Sequence, residues 1–270
     1  MMRRAILGLF ILATATATLP AAAPQQTGGD DWCRSERSGN RDRENVCEVR
    51  QFTVVAAGTM TVNAEPNGGI QVDGGPRGDI QVEAKVVAQA ETQARAKQIA
   101  DAVKVTATPG DVSADGPTGL GRREGWSVSY RLAVPTVSML SLKTTNGGIS
   151  IRDVDGTVEF RTANGVVKLT NMAADVKGPT SHGRVDVDLE RPGRRGQGRH
   201  VETSNGGVHL RIPEQYSAHL ETGTINGGLN IDFPLTVQGR VDRQLSANLG
   251  SGGAPIRVRT HNGGVKISKK

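Results

Sequence analysis

The chain has 270 residues, a formal charge of +6, 36% hydrophobic residues and only 3% aromatic ones. Acids and bases interleave along most of it, so bulk charge does not mark a polyanion-binding protein. Eight Phe, Tyr and Trp side chains are too few for a base-stacking groove, which argues against nucleic acid as a partner. They are also few for an ordinary globular core, and suit a narrow interior filled by Val, Ile, Leu and Thr.

From the N-terminus, Arg3 and Arg4, the apolar run Ala5 to Ala13 and the small residues after it read as an export signal over residues 1–26, with cleavage expected after Ala17 or near Ala22. The run is too short for a membrane span, and no second apolar segment of membrane length follows. The expected location is the periplasm, the cell surface or the medium. Residues 27–50 form a charged segment holding the two cysteines, Cys33 and Cys47. In an exported chain these are expected to form a disulfide, worth about 3 kcal/mol for a loop of roughly 15 residues in the chain-entropy model. Two cysteines alone are too few for a metal site.

Residues 51–135 are expected to form a small β module, with short strands around Asn67 and Ile80 to Val82. Within it, Val87, Ala90, Ala94, Ile99 and Val103 fall on one helical face and predict an amphipathic helix over 87–105. Such a helix either covers an exposed strand edge or packs on a small sheet. Residues 109–125, rich in Gly, Pro and Asp, predict a loop, and Trp126 to Val134 a strand ended by Pro135.

Residues 136–270 are dominated by one phrase, Thr-x-Asn-Gly-Gly. Its copies centre on Asn146, Asn164, Asn205, Asn226 and Asn262, with His182 in the same slot of another and an outlier at Asn67. Glycine follows each, at Gly147, Gly165, Gly206, Gly227, Gly263, Gly183 and Gly68. Aliphatic residues stand three and five places beyond the slot without exception, for example Ile149 and Ile151, or Val208 and Leu210. Alternation on both sides of the Asn-Gly is the period of half-buried strands, so each unit reads as strand, tight bend, strand. Asn and Gly both tolerate positive φ, which the bend is expected to use.

Successive slots are 18, 18, 23, 21 and 36 residues apart, the last being twice 18 and suggesting one degenerate unit with a turn at residues 250–253. A pitch near 18 predicts a β-solenoid, with about six residues on each of three sides at roughly 3.3 Å per residue. Equivalent aliphatics would then stack inside, and asparagines in a hydrogen-bonded column. An antiparallel repeat of Asn-Gly hairpins, in which Thr144 faces Ile149, is the alternative. The constant pitch favours the solenoid, and both readings are all-β.

The 23-residue interval contains Arg191, Arg194, Arg195, Arg199 and His200 threaded through Gly and Pro. This predicts an inserted basic loop that is either simply solvated or contacts a polyanion. Two acid pairs, Asp153 with Asp155 and Asp186 with Asp188, project from one strand face each. The first flanks a bend and the second alternates outward, so neither points to catalysis. The five histidines lack metal-ligand spacing, and nucleophile-elbow, Walker and dinucleotide motifs are absent. No cofactor or metal is expected.

The Trp-Cys and Cys-Glu-Val segments, the strand Val134 to Leu142 and the train of Thr-x-Asn-Gly-Gly units resemble an exported bacterial family of unknown function labelled putative adhesin, over about residues 30–270. The resemblance implies a β-solenoid at the cell envelope and carries no ligand or catalytic residue with it. Three functions follow as expectations. The first is a non-enzymatic surface binding a glycan, a protein or another copy of itself. The second is a β-helix carbohydrate-active enzyme, and the third an envelope structural or stress-response module.

Overall fold

The computed structural model describes residues 30–34, 43–189, 198–232 and 243–270. The expected signal segment therefore lies outside the described residues. In chain order the elements are a short helix α1 (Asp30–Cys33), β1 (Glu44–Val55), β2 (Thr59–Asn63), β3 (Ile70–Gly75), β4 (Asp79–Ala90), helix α2 (Gln93–Ala102), β5 (Lys104–Thr108), β6 (Asp111–Asp115) and β7 (Gly125–Pro135). The repeat units then follow as strand pairs: β8 (Val137–Lys143) with β9 (Ile149–Arg152), β10 (Asp155–Asn164) with β11 (Val167–Thr170), and β12 (Asp175–His182) with β13 (Val185–Asp188). After these come β14 (Arg199–Asn205) with β15 (Val208–Ile212), β16 (Ala218–Asn226) with β17 (Leu229–Asp232), the single strand β18 (Gln244–Leu249), and β19 (Pro255–Asn262) with β20 (Val265–Lys269).

These strands build two ten-stranded sheets, rich in parallel pairs. The first runs β1-β4-β7-β3-β9-β11-β13-β15-β20-β17 and the second β18-β16-β19-β14-β12-β10-β8-β2-β6-β5. The two strands around each Asn-Gly lie in different sheets, so they do not pair with each other. The hairpin alternative is thereby excluded. Each strand instead pairs in parallel with its equivalent, Val167 beside both Ile149 and Val185, and Thr162 beside Thr180. Each unit also has two strands and two bends, rather than the expected three sides. In the units of β8 with β9 and β10 with β11 the second bend is short and carries a positive φ, 56° at Asp153 and 51° at Asn171. Aspartate and asparagine tolerate this region better than other non-glycine residues.

Between the sheets runs one continuous apolar core. Ile70, Ile149, Val167, Val185, Val208 and Val265 form one inner row, and Val72, Ile151, Leu169, Val187, Leu210 and Ile267 another, all buried. The remaining pair, Leu229 and Ile231 on β17, is partly exposed because β17 is an edge strand. Where Phe160 enters the second sheet's inner row, its neighbour on β12 is Gly178, and a Cβ there would meet the Phe160 ring at 2.6 Å. The missing side chain makes room for the largest one.

Three expectations are corrected. Residues 87–90 continue β4 rather than opening the helix, because the two-residue alternation Ile80, Val82, Ala84, Val86, Ala88, Ala90 persists, every member buried. The helix starts after Thr92, whose hydroxyl accepts from the Arg95 N–H, and buries Ala96, Ile99 and Ala100 against β1 and β4, leaving Ala94 exposed. Within the expected loop, residues 111–115 are strand β6, which forms a hairpin with β5 and extends the second sheet beside β2. Nor does a module boundary fall at 135/136, since β2 and β3 pair directly with β8 and β9.

The outlier Asn67 is a full member of the stack. It bridges Asn146, and the chain uses one extra residue before it, so that Ala64, not Glu65, lies beside Thr144. A larger surprise lies at the other end. The Asn262 unit sits between those of Asn205 and Asn226: β19 pairs with both β14 and β16, and β20 with both β15 and β17. Among the described residues the 36-residue interval thus holds no degenerate unit in the stack. Between β17 and β19 its described part is β18, which runs antiparallel along the outer side of β16, followed by the turn at residues 250–253, which leads to β19 on the far side of β16.

Candidate functional site: the Asn-Gly-Gly edge and the two outer faces

The first bend of every unit lines up along one edge. Asn146 donates from Nδ2 to Asn67 Oδ1 at 2.9 Å, Asn164 to Asn146 at 2.7 Å, Asn262 to Asn205 at 2.8 Å and Asn226 to Asn262 at 2.8 Å. Beneath them each glycine N–H donates to the next slot's carbonyl, as Gly147 does to Asn164 at 2.9 Å and Gly206 to Asn262 at 3.0 Å. The buried threonines form a third column: Thr144 donates to Gly68 O, Thr162 to Gly147 O, Thr203 to Gly183 O, Thr260 to Gly206 O and Thr224 to Gly263 O, at 2.7–3.1 Å. These hydroxyls saturate carbonyls that the bend would otherwise leave unpaired in the interior.

His182 interrupts two columns at once. Asn205 there donates to Ser181 O, at 3.4 Å, and Thr180 Oγ1 is buried with no partner among the described residues. The backbone column passes through unbroken, with Gly165 N–H to His182 O and Gly183 N–H to Asn205 O both at 3.0 Å.

Except at Gly263, where φ is 157°, positive φ does not explain the first glycine of the units, contrary to expectation. A Cβ on Gly147, Gly165, Gly183, Gly206, Gly263 or Gly227 would lie 1.9–2.2 Å from the carbonyl oxygen of the adjacent glycine in the stack. Close backbone approach excludes any side chain. These edge residues are thus held by one another.

Of the basic cluster, Arg191, Arg194 and Arg195 lie outside the described residues. Arg199 is not a solvated contact for a polyanion. It stands in an inner row of the second sheet, between Val176 and Ile256, and is 6% exposed. Its guanidinium donates to the Tyr216 hydroxyl at 3.2 Å and to the Met172 carbonyl at the second bend. A long side chain in an aliphatic row had no signal in the sequence, because the glycines before it mask the strand register.

Cys33 and Cys47 form a disulfide, tying α1 to β1. Beside it the Trp32 ring covers the Arg131 guanidinium at 3.9 Å from its centroid, with Lys85 Nζ at 5.3 Å. This cluster was not anticipated, since Trp32 and Arg131 are distant in sequence.

The outer faces carry polar rows, one residue per strand. On the first sheet the row reads Arg131, Gln71, Ser150, Lys168, Asp186, His209, Lys266 and Asn230. Asp186 pairs with Arg184 at 3.0 Å, and Asp188 with Arg211 and Lys270, each at 3.0 Å. Burial, then the nearby Arg211, holds the His209 imidazole below its ordinary pKa. Asp153 accepts from Asn171 at the second bend. Asp153, Asp186 and Asp188 are thus engaged with neighbouring side chains. On the second sheet Glu221 takes two bonds from Arg257, at 2.8 and 3.2 Å, which keep its carboxyl below the usual range. Among the described residues no three His, Cys, Asp or Glu side chains gather in a way that could hold a metal ion.

Depressions mark these faces. One, of about 530 Å³, lies over Gly223 on the second sheet, where Glu202, Glu221, Arg259 and His261 give it mixed charge. Another, of about 410 Å³, lies between Trp32 and Val166 on the first sheet. No helix among the described residues is long and apolar enough to cross a membrane, which leaves β-barrel crossing unaddressed.

An all-β protein with two long, parallel-rich sheets joined along a stacked Asn-Gly edge is the class that the fold and this edge define. The family model described as Toastrack DUF4097 matches residues 56–268, so the chain belongs to that family. No functionally curated protein matches the sequence. The structure is similar to that of a putative cell adhesion protein from Clostridium sporogenes, with 11% identity, a TM-score of 0.46 and coverage of 83% of this chain and 100% of that one. It is also similar to a putative adhesin from Bacteroides fragilis, with 9% identity, a TM-score of 0.36 and coverage of 83% and 97%. A third similar structure is a putative lipid binding protein from Parabacteroides distasonis, with 10% identity, a TM-score of 0.33 and coverage of 83% and 96%.

Proposed function

We propose that the protein is an exported, non-enzymatic β-solenoid of the cell envelope, wound in coils of about 18 residues, whose flat outer faces bind an envelope component in the manner of an adhesin. The observation that carries this reading is the division of labour across the sheets. Inward residues are mainly aliphatic or threonine, with Phe160 and Arg199 among the exceptions, and outward ones form polar rows at the strand spacing of roughly 4.8 Å. Such rows suit a repeating polymer better than a small molecule, which would call for a deep and largely apolar cavity. The disulfide between Cys33 and Cys47 supports an oxidising compartment.

The test is binding of the protein to envelope polymers isolated from its own organism, across a salt series. Saturable binding that persists at high salt is expected. Binding that vanishes with salt reduces the interaction to exposed charge, and no binding overturns the adhesin reading.

A further inference from the structure

We propose that the depression beside Trp32 is a subsite for an acidic glycan, in which Arg131 and Lys168 meet the carboxylates of two sugar units on one chain. This rests on the reading that the outer faces bind an envelope polymer, and it names the polymer's chemistry and its seat.

The charge of the depression is one-sided. Among the described residues Arg131 and Lys168 line it, no carboxylate does, and neither cation has an ion-pair partner. The nearest acids in the ladder form no ion pair with these cations and bond to other groups. Glu83, across from Arg131 on β4, accepts from Gln51 at 3.0 Å, and Asp186, across from Lys168 on β13, pairs with Arg184. Lys85, the other cation at the Trp32 ring, is itself engaged and is not required.

Trp32 orients Arg131. An aromatic ring 3.9 Å from the guanidinium occupies its flat face and leaves its N–H edge free, which is the edge that grips a carboxylate in bidentate fashion. The disulfide at the neighbouring Cys33 anchors the ring. The cation is therefore pre-positioned, and binding costs it little side-chain entropy.

The spacing fits a chain rather than a single sugar. Arg131, Gln71, Ser150 and Lys168 stand on four successive strands, so the two cations are three strand spacings apart, about 14 Å at roughly 4.8 Å each. Between them Ser150 and Gln71 line the depression. Gln71 uses its amide nitrogen on Asp73, at 2.7 Å, which leaves its amide oxygen to accept from a sugar hydroxyl.

The recess has a local cause. The second glycine of the unit is present as Gly69 and Gly148 in the first two coils of the stack, which empties the floor. In the third coil that position is Val166, 42% exposed, which raises an apolar wall against which a pyranose face can lie. A base-stacking ligand would need more than one aromatic platform, and Trp32 is the single aromatic ring exposed toward this floor among the described residues.

The test is calorimetric titration of the full chain with three acidic probes, oligogalacturonate, oligomannuronate and a hyaluronan hexasaccharide, and with methyl-esterified oligogalacturonate as the neutral control. At least one acidic probe is expected to bind ten times or more tighter than the neutral one. Lys168→Gln and Arg131→Gln should each weaken it at least tenfold, and Lys177→Gln on the opposite sheet should leave it unchanged. Lys168 is exposed, so its variant keeps the fold even where loss of the Arg131 stack disturbs it. Failure of all three acidic probes, equal affinity for the neutral one, or equal losses from Lys177→Gln and Lys168→Gln overturns the proposal. If isolated envelope polymers still bind in those cases, the general reading stands; if they do not, both fall.

Discussion

Asn226 donates to Asn262 at 2.8 Å, and Asn262 donates in turn to Asn205. The last Asn-Gly-Gly unit of the sequence is therefore the middle one of three in space. Strands β19 and β20 each have a parallel neighbour on both sides.

Deleting residues 255–270 should accordingly not shorten the stack by one end unit. It removes a shared neighbour, leaving β14 and β15 paired only with β12 and β13 and cutting β16 and β17 off from the stack. Loss of amide protection throughout residues 218–232 is expected in hydrogen exchange. Protection confined to its former pattern there would show that the inserted coil is dispensable.

Gly206 and Gly207 separate close approach from general bend flexibility. A Cβ at Gly206 would lie 2.0 Å from Gly183 O, whereas at Gly207 the nearest atom is Gly264 O at 3.5 Å. Gly206→Ala should destabilise by on the order of 1–3 kcal/mol, the usual range for forced overpacking, and Gly207→Ala by much less. Thermal melting of the two variants decides it, and equal shifts would remove the steric explanation.

His182→Asn should raise stability. An asparagine there can donate to Asn164 and accept from Asn205, restoring the column broken at that coil. Net gains of roughly 0.5–1.5 kcal/mol per added hydrogen bond set the scale. A melting midpoint at or below that of the parent would mean that the histidine contributes something the column does not replace.

Arg95 on α2 binds both oxygens of Glu124, at 2.7 and 3.0 Å, and with the Gly121 N–H brings the Glu124 pKa down to about 2 from 4.5. A carboxylate depressed on folding stabilises above its unfolded pKa and loses that contribution as pH falls through the folded one. The melting difference between the parent and Glu124→Gln should thus be constant above about pH 5, shrink between pH 4.5 and 2, and close below about pH 2. The difference is small because the pair is exposed. A gap that widens on acidification would contradict the assignment.

The strands and their faces were legible because alternation is a local signal. The columns of Thr144, Asn146 and Ile149 equivalents could be written down from the sequence. What could not be read is which copy neighbours which. Every copy offers the same side chains at the same register, so Asn262 fits beside Asn205 as well as beside Asn226, and identical columns carry no address. The two-strand coil was hidden for a related reason, since the bend at Asp153 and Asn171 is too short to stand apart from the strands. The Trp32 cluster depends on Arg131, placed by long-range pairing of β7, and Arg199 on a strand start that its flanking glycines conceal.

The coil of β19 and β20 also fixes the order in which the molecule can be completed. A repeat stack can ordinarily be wound in the direction in which the chain is made or threaded across a membrane, each coil templating the next. Here the coil of β16 and β17 is made before its inner neighbour exists and must wait beside an open slot. The far end of the stack closes last, from the inside.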